Sequence, residues 1–289
     1  MNSAASFNRL MRKVLGPIEG VDCFVDDVII ASENWSEHVM LIDEVLTALS
    51  QVGLTVKPSK CMFGFSDLTF LGHELSADTI SPREQKLSEI LAVSIPITKR
   101  QLRAFIAMAN YYSKFIPNFA ELAEPLTRLT KKCFPNKLQW TSAQENAFQT
   151  IKLQLSRKPV MKIVDISKTM YLQTDASDVG IGCALLQEHD GILHPVRYLS
   201  RKLSKAELNY STIEKECLAI IWGINKLKAF LYGTEFILLV DNKPLTYLKE
   251  SSFKNSRVAR WAMCLQDWAF QVRSIKGVEN HVADCLSRT

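Results

Sequence analysis

The sequence has little with which to build a disulfide framework, a zinc knuckle or a membrane span. Its seven cysteines, Cys23, Cys61, Cys133, Cys183, Cys217, Cys264 and Cys285, stand singly, with no Cys-x-x-Cys pair and an odd total. Such thiols suit buried positions in a reducing compartment, so an intracellular location in cytoplasm or nucleus is expected. No apolar run approaches the roughly 20 residues of a spanning helix. Met1-Asn2-Ser3-Ala4-Ala5-Ser6 is no signal peptide either, and no membrane partner is expected. A large charge excess is also absent: 35 basic and 30 acidic residues give +5, which permits a polyanionic partner without requiring one.

What is present is a globular chain of 289 residues, 47% hydrophobic, enough for one large domain or two to three small ones. Phe7, Leu10, Met11, Val14 and Leu15 follow a helical spacing from the first residues, so the chain is expected to begin inside a folded element, as if cut. In Cys23-Phe24-Val25-Asp26-Asp27-Val28-Ile29-Ile30-Ala31 two acids interrupt an apolar run, which predicts a β-hairpin with Asp26-Asp27 at its tip. A surface turn would read the same way, yet paired carboxylates repel unless a cation or solvent lies between them. Ser36 with Glu37 predicts a helix start and Gly53 its end. After Ile80-Ser81-Pro82 the pattern turns helical and basic. A capping box at Thr98 and Gln101 precedes an apolar face of Leu102, Phe105, Ile106, Ala109 and Tyr112, with Lys99, Arg100, Arg103 and Lys114 on or near the other side, able to follow a nucleic-acid backbone. Ser142 with Glu145 opens another helix, and a domain boundary is expected near Val160 to Lys168.

From Met170 onward, strands, a long helix and further strands predict a mixed sheet with helices on it, α/β in class. Here acids stand where a buried fold should not tolerate them. Asp175 ends an alternating strand before the turn to Gly180 and Gly182; Glu216 lies near the apolar face of the long helix. Asp241 follows the run Glu235 to Val240, apolar from Phe236 onward, and Asp284 precedes Cys285-Leu286. A lone buried carboxylate costs several kcal/mol, so several together are better explained by a shared cation. Hard oxygen donors without paired His or Cys select Mg²⁺ or Mn²⁺, and two such ions about 4 Å apart can activate water and stabilise the leaving oxygen of a phosphodiester. Taken singly, each acid also reads as a surface charge or strand-end cap. Glu214 rivals Glu216, since two residues apart on a helix they cannot share a face. Asp178 is expected to shape the turn.

Phe24-Val25-Asp26-Asp27 resembles the [YF]-x-D-D motif of reverse transcriptases of the Ty3/gypsy-type long-terminal-repeat retrotransposons. Asn2 to Met11 resembles the tail of that family's template-positioning helix. Leu54 to Cys61 is similar to the next palm motif, where Lys57 or Lys60 would approach a nucleotide phosphate. Thr69-Phe70-Leu71-Gly72-His73 resembles the primer grip, implying contacts to nucleic acid from Phe70, Leu71, Gly72 and His73; an ordinary hairpin with His73 exposed is the alternative. Tyr111 to Phe119 looks like the thumb motif.

Thr174-Asp175-Ala176-Ser177, Glu216-Cys217-Leu218-Ala219-Ile220, Val240-Asp241-Asn242-Lys243-Pro244 and Asn280 to Arg288 resemble, in order, the four acidic motifs of ribonuclease H. The family's offset from Leu218-Ala219-Ile220 favours Glu216 over Glu214. The resemblance implies part of a palm (1–80), a helical thumb (81–160) and a ribonuclease H-like domain (165–289). It further implies Mg²⁺ or Mn²⁺ held by Asp175, Glu216, Asp241 and Asp284, and by Asp26 and Asp27. The expected activity is hydrolysis of the RNA strand of RNA:DNA hybrids, with a primer-template as the palm's partner and, in an intact element, a virus-like particle as the setting. The family's third polymerase carboxylate, on an upstream strand, is missing from the sequence, so little DNA synthesis by the isolated chain is expected unless a separate N-terminal part completes it. An inert nucleic-acid-binding remnant is the alternative. Ser274-Ile275-Lys276-Gly277 lacks the histidine many ribonuclease H proteins carry there, His281 is expected at the surface, and the proton shuttle stays unassigned.

Overall fold

The computed structural model describes residues 3–240 and 256–274. The chain divides into two units, Met1–Leu71 and Gly72–Thr289. The first contains α1 (Ser3–Leu15), β1 (Val21–Phe24), β2 (Asp27–Ile30), α2 (Trp35–Gln51) and β3 (Leu68–Phe70). Met11 and Leu15 of α1 bury against Val45 and Leu49 of α2 and Cys23 of β1. The start of α2 differs from the sequence expectation. Asn34, not Ser36, is the cap, its side chain accepting from the Glu37 amide at 2.9 Å. Asparagine is as good a cap as serine, and it stands three residues before Glu37, whose carboxylate accepts from the Glu33 amide at 3.1 Å. Gly53 ends the helix at φ +72°, as expected.

The second unit begins with β4 (His73–Leu75), β5 (Thr79–Pro82), α3 (Glu84–Leu91), α4 (Lys99–Tyr111), α5 (Phe119–Leu122), α6 (Glu124–Leu129), α7 (Ser142–Ser156) and β6 (Met161–Lys162). The Thr98–Gln101 capping box starts α4 as predicted. For α7 the cap is Thr141 with Gln144, one residue ahead of the expected pair. Leu102, Phe105, Leu126, Phe148 and Ile151 form the helical core, with the Phe105 and Phe148 rings 4.5 Å apart. After α7, β6 returns to pair with β5, Met161 opposite Ile80.

A five-stranded sheet follows: β7 (Met170–Ala176), β8 (Gly180–His189), β9 (Ile192–Lys202), β10 (Phe236–Val240) and β11 (Phe270–Ser274), in the order β11-β10-β7-β8-β9. Among the described residues three helices accompany it: α8 (Thr212–Lys226), α9 (Lys228–Leu231) and α10 (Ser256–Gln266). Short turns join β7 to β8 and β8 to β9, so these pairs are antiparallel, whereas β10 and β11 each return through helices and pair in parallel. Met170 and Leu172 of β7 face α8 and bury with Ile220 and Ile224; Tyr171 faces the other way, with Ala184 and Leu239. A Cβ on Gly223 would lie 3.3 Å from the Cys183 Sγ and 3.5 Å from the Thr174 Cγ2, so α8 lies almost directly on β7 and β8. Gln187, buried in β8, satisfies its amide by accepting from the Asp165 amide and donating to the carbonyls of Asp165 and Lys168. Among the described residues no helix is long and apolar enough to cross a membrane.

Candidate active site

β7 has an antiparallel neighbour on one side and a parallel neighbour, β10, on the other. In open α/β sheets a crevice opens beyond the carboxyl ends of the strands where the connections change sides. Asp175 is the last residue but one of β7, at that end, in register with Gly182. Asp241 is the residue after β10, and it lies outside the described residues, as do Asp284, Lys276 and His281.

Thr174 faces α8, so the strand's alternation turns Asp175 toward the opposite face. There it lines a cleft of about 10 Å³, room for one water-sized sphere, with Asn118, Glu121, Ser177 and Arg201. α5 forms the wall. A Cβ on Gly182 would overlap the Asn118 Oδ1, and the Ala120 amide donates to the Ser200 Oγ at 2.9 Å. Burial pushes the Glu121 carboxyl up; a hydrogen bond from Ser177 opposes this, and the Asp175 charge adds to the rise. Sequence reasoning missed Asn118 and Glu121. They stand more than fifty positions before Asp175, and no local pattern marks them.

The start of α8 separates the two rival glutamates. Ser211 caps the helix, and Glu214 completes the capping box, its carboxylate accepting from the Ser211 amide at 3.0 Å. The same carboxylate pairs with Arg257 of α10, whose guanidinium lies over the Tyr210 ring at 3.9 Å. Burial alone would raise the Glu214 carboxyl, but the Ser211 amide and then Arg257 outweigh it and hold the group below its ordinary value. Glu214 is thereby committed to the fold. Glu216 stands half-buried one turn before Ile220, on the side of α8 that meets the sheet. Lys215 places this turn: its ammonium lies 2.9 Å from Asp178, in the turn after β7, so the acid-bearing end of α8 and the carboxyl end of β7 share one end of the sheet.

Burial pushes the Cys183 thiol up to about 12, and burial with the Glu216 and Glu214 charges does the same for Cys217. Asp175 and Glu216 offer carboxylate oxygens, hard donors of the kind that suit Mg²⁺ or Mn²⁺. Among the described residues no three His, Cys, Asp or Glu side chains converge on a metal position; two of the four expected acids lie beyond them.

In the first unit, Phe24 pairs with Asp27, so the hairpin tip is Val25-Asp26 rather than Asp26-Asp27, and Asp27 opens β2. Two-residue hairpins need a positive φ at the first tip residue, which here falls on Val25 at +58°. A β-branched residue resists that conformation, at a cost of about 1–3 kcal/mol. Both acids line a cleft of about 470 Å³ that also takes in Lys57 and Lys60. Phe70 ends β3 and Leu71 follows it. Gly72, at φ +73°, lies against Tyr111 and Tyr112, and its carbonyl accepts from the Tyr112 hydroxyl at 3.1 Å. His73 is buried, not exposed, with its ring centroid 5.4 to 5.7 Å from those of Tyr111, Tyr112 and Phe115.

The basic residues of the helical part divide by role. Lys99 donates to the carbonyls of Lys131, at 2.7 Å, and Phe134, and Arg103 donates to that of Thr130 at 2.9 Å, so both tie down the chain leaving α6. Arg100 is exposed. Lys114 is half-buried beside Phe115, and burial, with help from Arg197, brings its ammonium down to about 8.

Two family models match the chain: Reverse transcriptase (RNA-dependent DNA polymerase) over residues 1–75 and RNase H-like domain found in reverse transcriptase over residues 165–268. The chain therefore consists of a reverse-transcriptase segment joined to a ribonuclease H-like domain, as in retrotransposon Pol proteins. It is 37% identical to the retrovirus-related Pol polyprotein from transposon 297 of Drosophila melanogaster, over 99% of this chain and 27% of that protein. To the transposon Tf2-3 polyprotein of Schizosaccharomyces pombe it is 38% identical, over 98% of this chain and 22% of that one. These relatives are Ty3/gypsy-type Pol polyproteins, and the chain spans about a quarter of their length. The fold is that of the foamy viral protease-reverse transcriptase in complex with RNA/DNA hybrid, TM-score 0.80 at 22% identity, covering 100% of this chain and 39% of that one. The same foamy viral protein in complex with dsDNA gives a TM-score of 0.78 at 22% identity, over 96% and 59%.

Proposed function

We propose that the ribonuclease H-like domain hydrolyses the RNA strand of RNA:DNA hybrids, with Asp175, Glu216, Asp241 and Asp284 as ligands for Mg²⁺ or Mn²⁺. The observation that carries this is the placing of Asp175 at the carboxyl end of β7, at the switch point of the sheet, with Glu216 brought to the same end by α8. Glu214, consumed by its cap and by Arg257, leaves Glu216 as the helix acid. Bound divalent ions would lower the pKa of an attacking water and stabilise the leaving oxygen. The chain's own part is to hold hard oxygen donors on rigid backbone. β7 fixes Asp175 through its pairing with β8, and the first turn of α8 is locked by its capping box. The hybrid-bound foamy viral structure that shares this fold supports a nucleic-acid partner.

In the palm segment we assign Asp26 and Asp27 to the metal-binding hairpin of nucleotidyl transfer, with primer-template as its partner. Primer extension, measured with and without an added N-terminal palm part, tests that assignment.

For the nuclease the test is cleavage of a labelled RNA:DNA hybrid by the purified chain with Mg²⁺ or Mn²⁺. Metal-dependent cutting of the RNA strand is expected, and Asp175→Asn together with Asp241→Asn abolishes it. Cutting that survives both substitutions refutes the assignment. Tight hybrid binding with no turnover in either metal makes the chain a binding module instead.

A further inference from the structure

Among the described residues Lys215 is the only buried lysine or arginine, with a side chain 8% exposed, while that of its partner Asp178 is 95% exposed. Stability explains this poorly. Burying an ammonium sacrifices hydration and side-chain freedom, and an ion pair whose other half stands in water returns little. The pair joins two backbone segments that each carry an expected metal ligand: Lys215 precedes Glu216 on α8, and Asp178 lies three residues after Asp175. The turn between is stiff, with the Ser177 amide donating to the Gly180 carbonyl at 2.8 Å and the Gly180 amide donating to the Ser177 Oγ at 3.1 Å. A pull on Asp178 is thus transmitted to the end of β7.

We infer that Lys215 is a positioning residue whose strut to Asp178 sets the separation of the Asp175 and Glu216 carboxylates, and with it the affinity of the site for divalent metal. This rests on the nuclease reading above. Asp178 is more than a turn former in this account: it is the anchor of the strut. The signal was present in the sequence as a lysine set between Ile213 and Cys217-Leu218.

The experiment is Mn²⁺ titration by calorimetry on the full chain without nucleic acid, with Asp26→Asn and Asp27→Asn throughout so that only the second site reports. Lys215→Met, Asp178→Asn and the double variant are each compared with this parent, alongside melting temperature. Each single variant is expected to weaken Mn²⁺ binding about tenfold, the scale of outer-shell changes at metal sites. The double variant should lose no more than either single one. Should Lys215→Met fail to fold, Asp178→Asn still decides, because it alters an exposed side chain. Unchanged Mn²⁺ affinity in Asp178→Asn overturns the inference, as does a loss in the double variant equal to the product of the single losses. A parent chain that binds no Mn²⁺ while the unsubstituted chain cuts no hybrid overturns the nuclease reading itself.

Discussion

The two glutamates at the start of α8 should respond to substitution in opposite ways. Glu214→Ala removes the half of the capping box that satisfies the Ser211 amide, and it leaves Arg257 without its carboxylate. A lost cap costs about 1 kcal/mol and a hydrogen bond to a charged group about 1.5–3, so the loss is roughly 2–4 kcal/mol. At about 2–4 °C per kcal/mol for a unit of this size, the melting temperature should fall by roughly 5–15 °C. Below that transition, turnover per folded molecule should stay near that of the parent. Glu216→Gln should do the reverse. It removes a half-buried charge beside other acids, so the melting temperature stays within about 2 °C. Hybrid cleavage falls by more than about a hundredfold, beyond what outer-shell changes cost. Calorimetric melting and single-turnover cleavage on the same preparations make the comparison. If Glu214→Ala destroys turnover at an unchanged melting temperature, and Glu216→Gln leaves turnover intact, the division of roles between them is wrong.

Other consequences reach further along the chain. Arg201 grips Glu207 with two hydrogen bonds, 2.7 and 2.9 Å, and holds its carboxyl near 2, against 4.5 for a free glutamate. A depressed carboxyl contributes stability that is full above the unfolded value and is lost as pH falls from about 4.5 to about 2; Glu207→Gln should remove on the order of 2–3 kcal/mol at neutral pH and flatten the acid limb of a urea-melting series. Gly223→Val drives a branched side chain into Cys183 and Thr174, lifting α8 from the sheet, and should lower the urea midpoint by the equivalent of about 1–3 kcal/mol. Lys99→Met and Arg103→Met should lower the melting temperature, while Arg100→Ala should instead weaken hybrid binding and reduce its salt dependence by about one counterion in a fluorescence-anisotropy titration.

Much of this architecture was legible in the residue pattern because the relevant forces are local. The capping box at Thr98 and the apolar run Phe236–Val240 each declare their element through neighbouring side chains, whereas the strand before Asp175, expected to alternate, is buried on both faces from Met170 to Gln173 because it lies inside the sheet. The sequence pattern puts the caps one or two residues off at α2 and α7, where Asn34 and Thr141 compete with nearby serines of similar capping strength. Two adjacent acids are the better turn formers and draw the expected hairpin tip onto Asp26-Asp27, yet the strand register puts the positive φ on Val25. The burial of His73 among three aromatic rings, and the wall that α5 builds beside Asp175, depend on contacts between distant segments, which no local window contains.

That wall bears on modularity. The residues matching the ribonuclease H-like family model begin at 165, but Asn118 and Glu121, which close one side of Asp175, belong to the helical segment before it. An excised nuclease starting near residue 165 would keep the strand and its acid and lose the surface that Gly180 and Gly182 are shaped to receive. The environment of Asp175 is therefore a property of the junction between helical segment and sheet, and changes in the helices can retune the acid without touching its own domain.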